Sequence, residues 1–376
     1  MNVIFTCGGT AGHINPAIAV ANIVKERHPD CNILFIGAQG HMEEKLVPQA
    51  GFELKSLPGA GLSRSKSLAA LKKNVRAVKS ALSAVGACKR IFREFQPDVV
   101  VGTGGYASFP ALYAAQTMKI PTCVHESNAL PGLTTKMAAR NADRVLVCFE
   151  ESAKHYKNPD RVEVVGMPVR REFIYNKKED ARKELGLGDG YVVVSAFGSQ
   201  GAKVMNETVA DMIPLAQKDG FPFHHIHATG SFGKDWMPRR VKDNGVDYES
   251  CEKLDIREYI YNMPTVMAAA DVVIGRAGAA TCNEIAAAGV PCILIPSPNV
   301  TNNHQEKNAR VLSDRGGAVL LLEADCTPQR LYDEVLSLLH NPERRAKMST
   351  ALQQGVILDS AERICTIVEQ LAAGKA

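Results

Sequence analysis

The stretch Met1-Asn2-Val3-Ile4-Phe5-Thr6-Cys7-Gly8-Gly9-Thr10-Ala11-Gly12-His13 decides the fold. Residues 2–6 form a short apolar run that reads as a strand. Gly8 and Gly9 permit the sharp turn that follows. From His13 to Arg27 the pattern is helical. Working outward, the same succession returns. Strands are predicted at 32–36, 98–102, 121–124 and 143–148, then at 191–197, 223–228, 271–275, 292–296 and 317–322. Helices are predicted at 13–27, 68–95, 108–118, 131–141, 201–217, 279–288, 303–314 and 328–339. Strands that alternate with helices of ten or more residues imply an α/β protein, with parallel sheets covered on both faces.

The length, 376 residues, suits two domains of about 150–200 residues better than one core. A composition 45% hydrophobic and 22% charged excludes a disordered or fibrous chain. Residues 157–190 are rich in charge, Pro and Gly, and a new strand series starts at Tyr191. The linker is therefore placed near 165–170, with a first domain over 1–167 and a second from 168. At the far end, Asp359-Ser360 with Glu362 reads as a helix start, and Ile364, Ile367, Val368 and Leu371 as its apolar stripe.

The net charge of +4 is too small to imply nucleic acid. It is unevenly spread: basic residues exceed acidic ones by seven in 1–165, and fall three short in the remainder. None of the ten cysteines forms a Cys-x-x-Cys pair, so they read as small buried hydrophobes of a reducing compartment. The N-terminus lacks the basic region of a secretory signal, and no apolar run reaches 18 residues, so any membrane contact is expected to be peripheral.

Three glycine turns each separate a predicted strand from a helix: Cys7–His13, Gly102-Thr103-Gly104-Gly105-Tyr106, and Phe197-Gly198-Ser199-Gln200-Gly201-Ala202. Each is either an ordinary tight turn or a place where helix N–H groups meet an anion such as pyrophosphate. None is a P-loop or a complete dinucleotide fingerprint. Their recurrence in both halves favours a nucleotide cleft between two Rossmann-like domains. A fourth turn, Gly275-Arg276-Ala277-Gly278, leads into Ala279-Ala280-Thr281-Cys282-Asn283-Glu284. Glu284 is either an acid favoured by the helix dipole, worth about 0.3–1 kcal/mol, or a carboxylate accepting ribose hydroxyls. His13, at the start of a helix whose dipole disfavours imidazolium, is either structural or a general base. Its position favours the base.

Taken together, these segments resemble the MurG family of bacterial N-acetylglucosaminyltransferases, within glycosyltransferase family 28. The segments that carry the likeness are Gly8–His13, His125-Glu126-Ser127-Asn128, Gly166-Met167-Pro168-Val169-Arg170, Gly198–Ala202 and Glu284-Ile285-Ala286-Ala287-Ala288-Gly289, in order over essentially the whole chain. The resemblance implies a GT-B fold, with the last helix (357–376) returning to the first domain and the second domain ending at 356. It implies transfer of N-acetylglucosamine, with inversion, from UDP-N-acetylglucosamine to undecaprenyl-pyrophosphoryl-N-acetylmuramoyl-pentapeptide in peptidoglycan synthesis. No cofactor is implied. It carries donor binding onto Thr10, Ala11, Gly12, Asn128, Arg170, Ser199, Ile260, Ala279, Ala280, Thr281, Cys282, Asn283, Glu284 and Gln305. The chain departs from the family pattern at Ala11, which stands in place of a Gly, and at Ser127, Met167 and Phe197; none of these changes removes a donor-binding side chain.

The chemistry required is departure of UDP with charge growing on its β-phosphate, which fixed amide donors stabilise. No Asp-x-Asp motif is present, so the reaction is expected to need no metal. His13 is the candidate base for the acceptor hydroxyl and Glu126 the alternative, its other reading being a structural carboxylate. Residues 64–93 carry Arg64, Lys66, Lys72, Lys73, Arg76, Lys79, Lys89, Arg90 and Arg93 beside an apolar stripe from Leu68 to Val85. This is either a solvated face on a core helix or a seat on an anionic membrane surface, the cytoplasmic face of the cell membrane. The competing functions are another family-28 glycolipid glycosyltransferase, a UDP-N-acetylglucosamine 2-epimerase, and a nucleotide-sugar binder without catalysis.

Overall fold

The computed structural model describes residues 1–57, 68–105 and 107–374. Arg64, Lys66 and Tyr106 lie outside the described residues, as do the side chains of Lys72, Lys73, Arg76 and Lys79 and of the stripe from Leu68 to Leu82. Two compact units are present: Met1–Val169 with Ile357–Ala376, and Arg170–Val356.

The first unit contains strands β1 (Asn2–Thr6), β2 (Asn32–Ala38), β3 (Glu53–Leu57), β4 (Val99–Gly102), β5 (Thr122–Glu126), β6 (Arg144–Val147) and β7 (Val162–Val164). The second contains β8 (Tyr191–Ala196), β9 (Phe223–Ala228), β10 (Leu254–Arg257), β11 (Val272–Gly275), β12 (Cys292–Leu294) and β13 (Ala318–Leu320). Among the described residues they form two sheets, ordered β3-β2-β1-β4-β5-β6-β7 and β10-β9-β8-β11-β12-β13. The pairings are parallel throughout. The α/β expectation is met by two Rossmann-like sheets. In each, the chain order reverses beside the first strand, between β1 and β4 and between β8 and β11. Ligands of such sheets bind at the carboxyl ends of these strands.

The central strands are apolar on both faces because helices cover both. Val99–Gly102 and Val272–Gly275 are buried at every position. The strands not anticipated, β3, β7 and β10, all lie at sheet edges. There Glu53, Lys55, Glu163, Asp255 and Arg257 interrupt the apolar run, as half-solvated strands allow. Short helices such as Glu43–Gln49, Met237–Asp243 and Met263–Ala269 were missed too, being only two turns long.

In the first unit, Ile364, Cys365, Ile367, Val368 and Leu371 of the helix Ser360–Ala372 share one core with Ile14, Ala17, Val20, Ala21 and Val24 of the helix Ala11–Arg27. Arg27 and His28 both reach Glu369 at the rim. The expected cap at Asp359 does not form. Its side chain accepts from Arg363 Nε at 2.8 Å instead of from a backbone N–H. Of the ten free cysteines nine are buried, Cys251 being half-buried, and burial pushes thiols such as Cys88 and Cys282 up to about 12. Among the described residues no helix is long and apolar enough to cross a membrane.

Candidate active site

In the first unit the turn after β1 delivers Thr10 in extended conformation (φ −141°, ψ 153°) as the residue preceding the helix Ala11–Arg27. The N–H groups of His13 and Ile14 both return to Thr10 O, at 3.0 and 3.2 Å. Ala11 and Gly12 come before these first intrahelical bonds, so their N–H groups are the ones a helix start presents to an anion. His13 is held at both ends by Thr103. The ring Nδ1 lies 3.1 Å from Thr103 O, and Thr103 Oγ1 donates to His13 O at 2.6 Å. A carbonyl only accepts, so Nδ1 carries the hydrogen, and in the neutral ring the lone pair is then on Nε2. That is the tautomer a general base needs.

The turn after β4, read as either an ordinary tight turn or an anion seat, is packed closely on protein. Gly104 has φ +104°, and a Cβ there would stand 2.8 Å from His13 Nδ1. Gly105 has φ +84°, and its Cβ would stand 2.2 Å from Gly8 O. Both positions therefore require glycine because the second turn is packed on the first and on the histidine ring.

Glu126 ends β5 and is buried. Its Oε1 accepts from the backbone N and Nδ2 of Asn128, at 2.9 and 3.0 Å, and its Oε2 accepts from Gly132 N at 3.0 Å. Both carboxylate oxygens are thus engaged in ordering the loop that presents Asn128. These contacts favour the structural reading of Glu126 over its alternative assignment as the base. The preceding His125 donates from Nε2 to Gly166 O at 2.9 Å, and burial lowers its pKa.

In the second unit the turn after β8 is exposed at Gly198, Ser199 and Gln200. Gly198 (φ +93°) has nothing within 4 Å of a built Cβ, whereas Gly201 would meet Thr229 O at 2.1 Å. The turn is tied down by Ser231 N to Ser199 O and Phe232 N to Gln200 O, at 3.2 and 3.0 Å. The open side leaves room for an anion beside Ser199.

The helix Ala279–Ala288 starts after Gly278, so Ala279, Ala280 and Thr281 hold the amides of its first turn. Cys282 N already bonds Gly278 O at 2.9 Å and its side chain is fully buried. Asn283 is buried and donates from Nδ2 to Ala279 O at 2.8 Å. Cys282 and Asn283, both expected to touch the donor, turn their side chains into the protein. Glu284 is half-buried one turn further on. Burial pushes its carboxyl up to about 7, against the pull of the nearby Arg170 guanidinium. Arg170 itself lies 5.1 Å over the Phe173 ring. Gln305 accepts at Oε1 from Ser297 N at 2.9 Å, which fixes its amide plane.

Ile260 is buried, so only its backbone is offered. Beside it Tyr259 and Tyr261 meet edge to face at 4.9 Å, and Tyr261 is 85% exposed. Beneath the same sheet end, Ser195 Oγ lies 2.7 Å from both His225 Nε2 and His227 Nδ1, all three buried. Burial lowers both histidines, His225 to about 4.

Two doubly wound units with turn amides at the carboxyl ends of their strands suit a nucleotide ligand, and sequence comparison assigns them to the glycosyltransferases. The glycosyltransferase family 28 N-terminal domain model matches residues 3–147, and the family 28 C-terminal domain model matches residues 192–364. A protein of Acetivibrio thermocellus named UDP-N-acetylglucosamine–N-acetylmuramyl-(pentapeptide) pyrophosphoryl-undecaprenol N-acetylglucosamine transferase is 41% identical over the full length of both chains. One of the same name from Desulforudis audaxviator is 41% identical over 99% of each. The crystal structure of Acinetobacter baumannii MurG superposes with a TM-score of 0.76 at 24% identity, covering 98% of this chain and 99% of that one. The chain belongs to this MurG family of hexosyltransferases. The UDP-N-acetylglucosamine 2-epimerase of Neisseria meningitidis shares the fold, with a TM-score of 0.67 at 16% identity over 98% of this chain and all of that one.

Proposed function

We propose that the chain moves N-acetylglucosamine from UDP-N-acetylglucosamine to undecaprenyl-pyrophosphoryl-N-acetylmuramoyl-pentapeptide, with inversion. The observation that carries this reading is the end-to-end 41% identity with enzymes named for that reaction. The second unit holds the nucleotide. Glu284 accepts the ribose hydroxyls, the Ile260 backbone meets the base, and the amides of Ala279, Ala280 and Thr281, with Ser199, face the pyrophosphate. Arg170 adds positive charge there, and Gln305 reaches the sugar. The first unit supplies Thr10, Ala11, Gly12 and Asn128 to the sugar and diphosphate.

In the chemical step the acceptor hydroxyl oxygen bonds to the anomeric carbon as the bond to UDP breaks. The electron pair of that bond leaves on the β-phosphate oxygen, and the hydroxyl proton passes to His13 Nε2. One displacement inverts the carbon. Amides aimed at the growing phosphate charge contribute about 3–4 kcal/mol each where preorganised. The base contributes about 10²–10⁴ in rate.

The test is incubation with UDP-N-acetylglucosamine and a short-chain lipid-linked muramoyl-pentapeptide, followed by mass analysis. The expected product carries one added N-acetylhexosamine, and UDP is released only when acceptor is present. Conversion of the sugar nucleotide without acceptor would instead support the epimerase reading. We also place the enzyme peripherally on the cytoplasmic face of the cell membrane, seated by the basic stretch 64–93, each charge worth about 1 kcal/mol near an anionic surface. Charge reversal at Lys72, Lys73 and Arg76 should weaken binding to phosphatidylglycerol vesicles. Unchanged binding would reject that seat.

A further inference from the structure

We propose that Glu43 is a positioning residue for this reaction: its buried carboxylate grips the Gly9 peptide and so sets the loop that presents His13. The inference rests on the reading of His13 as the base. Glu43 opens the helix Glu43–Gln49 and is completely buried. Its Oε1 accepts from Gly9 N at 3.0 Å and from Ala38 N at 3.3 Å. Its Oε2 is buried with no hydrogen-bond partner, and no cation among the described residues pairs with the carboxylate. Burying an acid this way is costly unless the contacts it makes are needed. Its field is felt next door, where burial and the Glu43 charge together push the Cys7 thiol above its ordinary range.

The surroundings are shaped to admit this one side chain. A Cβ at Gly8 would stand 3.2 Å from Glu43 Oε1, and one at Gly37 would stand 3.0 Å from both Glu43 Cβ and Cγ. Glu43 therefore joins three pieces: the turn after β1, the end of β2, and the helix Glu43–Gln49. Gly9 has φ +86°, a conformation that turns its N–H inward to the carboxylate. With that peptide plane fixed, Thr10 leaves the turn extended and His13 falls three residues later, where Thr103 O receives its Nδ1–H. The ring is thus anchored from the β4 side by Thr103 and its loop from the β2 side by Glu43. An apolar residue of the same size would fill the space and leave the Gly9 N–H without its acceptor.

The test uses the full-length enzyme with Glu43→Gln, Glu43→Leu and Gly37→Ala, assayed below their melting temperatures. Gln keeps an acceptor for Gly9, whereas Leu keeps only the volume. Gly37→Ala adds no positive-φ strain and displaces the carboxylate without removing it. Glu43→Gln should keep kcat within about threefold of the parent, whereas Glu43→Leu should lose about 100-fold in kcat with donor KM nearly unchanged, the size of effect a misplaced reacting group produces. Gly37→Ala should fall between them. In a His13→Ala background Glu43→Leu should cost nothing further, because the two act through one ring.

Hydrogen exchange over residues 8–14 should be faster in Glu43→Leu and as in the parent for Glu43→Gln. Parent-like exchange in Glu43→Leu, or parent-like kcat despite faster exchange, would overturn the proposal. So would equal losses in the Gln and Leu variants. Additive losses with His13→Ala would overturn it too. If the parent itself transferred no sugar, the functional reading would fall, while the exchange measurement would still decide whether Glu43 holds the loop.

Discussion

The two units are built on the same plan and use their glycine turns differently. In the first, the turns after β1 and β4 are pressed together, Gly105 on Gly8 and Gly104 on the His13 ring, with Glu43 gripping Gly9 from behind. In the second, Gly198 stands open, Ser199 is exposed, and the first-turn amides of Ala279–Ala288 follow a separate glycine. The same residue type thus builds a rigid mount for one imidazole in one unit and, on the proposed reading, an open anion seat in the other. The lesson is that a glycine after a strand signals close backbone approach, and only the surroundings say whether the approaching partner is protein or ligand.

The sharpest way to break this contrast is His13→Ala. It should lower transfer by about 10²–10⁴ and leave UDP binding, measured by calorimetry, unchanged. Near-normal turnover would remove the base from the first unit. Next in size is Gly104→Ala, which sets a Cβ against Nδ1 at a positive φ. It should cost about 100-fold in kcat through ring displacement, whereas Gly198→Ala, with open space around it, should chiefly pay backbone strain and change kcat far less. Equal losses would erase the difference between mount and seat.

Glu284→Gln should weaken UDP binding by about 10- to 100-fold, the value of hydrogen bonds to a charged group. In the parent, affinity should climb between pH 6 and 8 as the carboxyl with pKa about 7 ionises. The variant should show a flat profile. Glu126→Gln should lower the melting temperature, because its oxygens order the Asn128 loop, yet cost less than tenfold in kcat, below the range of a general base. A loss as deep as that of His13→Ala would restore Glu126 as the base.

The smallest effect concerns stability. His225 and His227 have folded pKa values below the unfolded value near 6.5. Their contribution is full above pH 6.5 and is lost as pH falls toward 4, on the order of 3 kcal/mol for His225. Glu284, raised to about 7, acts in the opposite sense and favours the fold below pH 4.5. Calorimetric melting from pH 7 to 4 should show the histidine loss, and Ser195→Ala should alter it by removing the shared hydroxyl.

Much of the architecture could be read from the chain because central parallel strands are apolar on both faces. Asn2–Thr6, Phe223–Ala228 and Ala279–Ala288 appear at the predicted residues. Edge strands such as Leu254–Arg257 were not legible, since most of their residues are only half-buried and charges such as Asp255 and Arg257 break the apolar run. In the site, side chains fared better than partners. His13 and Glu284 stood out by position, but that Thr103 and Gly104 fix the His13 ring depends on contacts some 90 residues apart. Cys282 and Asn283 were assigned to the donor with their whole segment, and only the helix geometry shows that they face inward. Glu43 gave no signal in sequence, since the two-turn helix it opens was itself not legible.

The most direct measurement is a crystal structure with UDP-N-acetylglucosamine soaked in. The expected result is the ribose hydroxyls on Glu284 and the pyrophosphate within hydrogen-bond reach of the amides of Ala279, Ala280 and Thr281 or of Ser199. A nucleotide whose uracil and ribose rest on the Thr10–Gly12 turn, with Glu284 untouched, would contradict it.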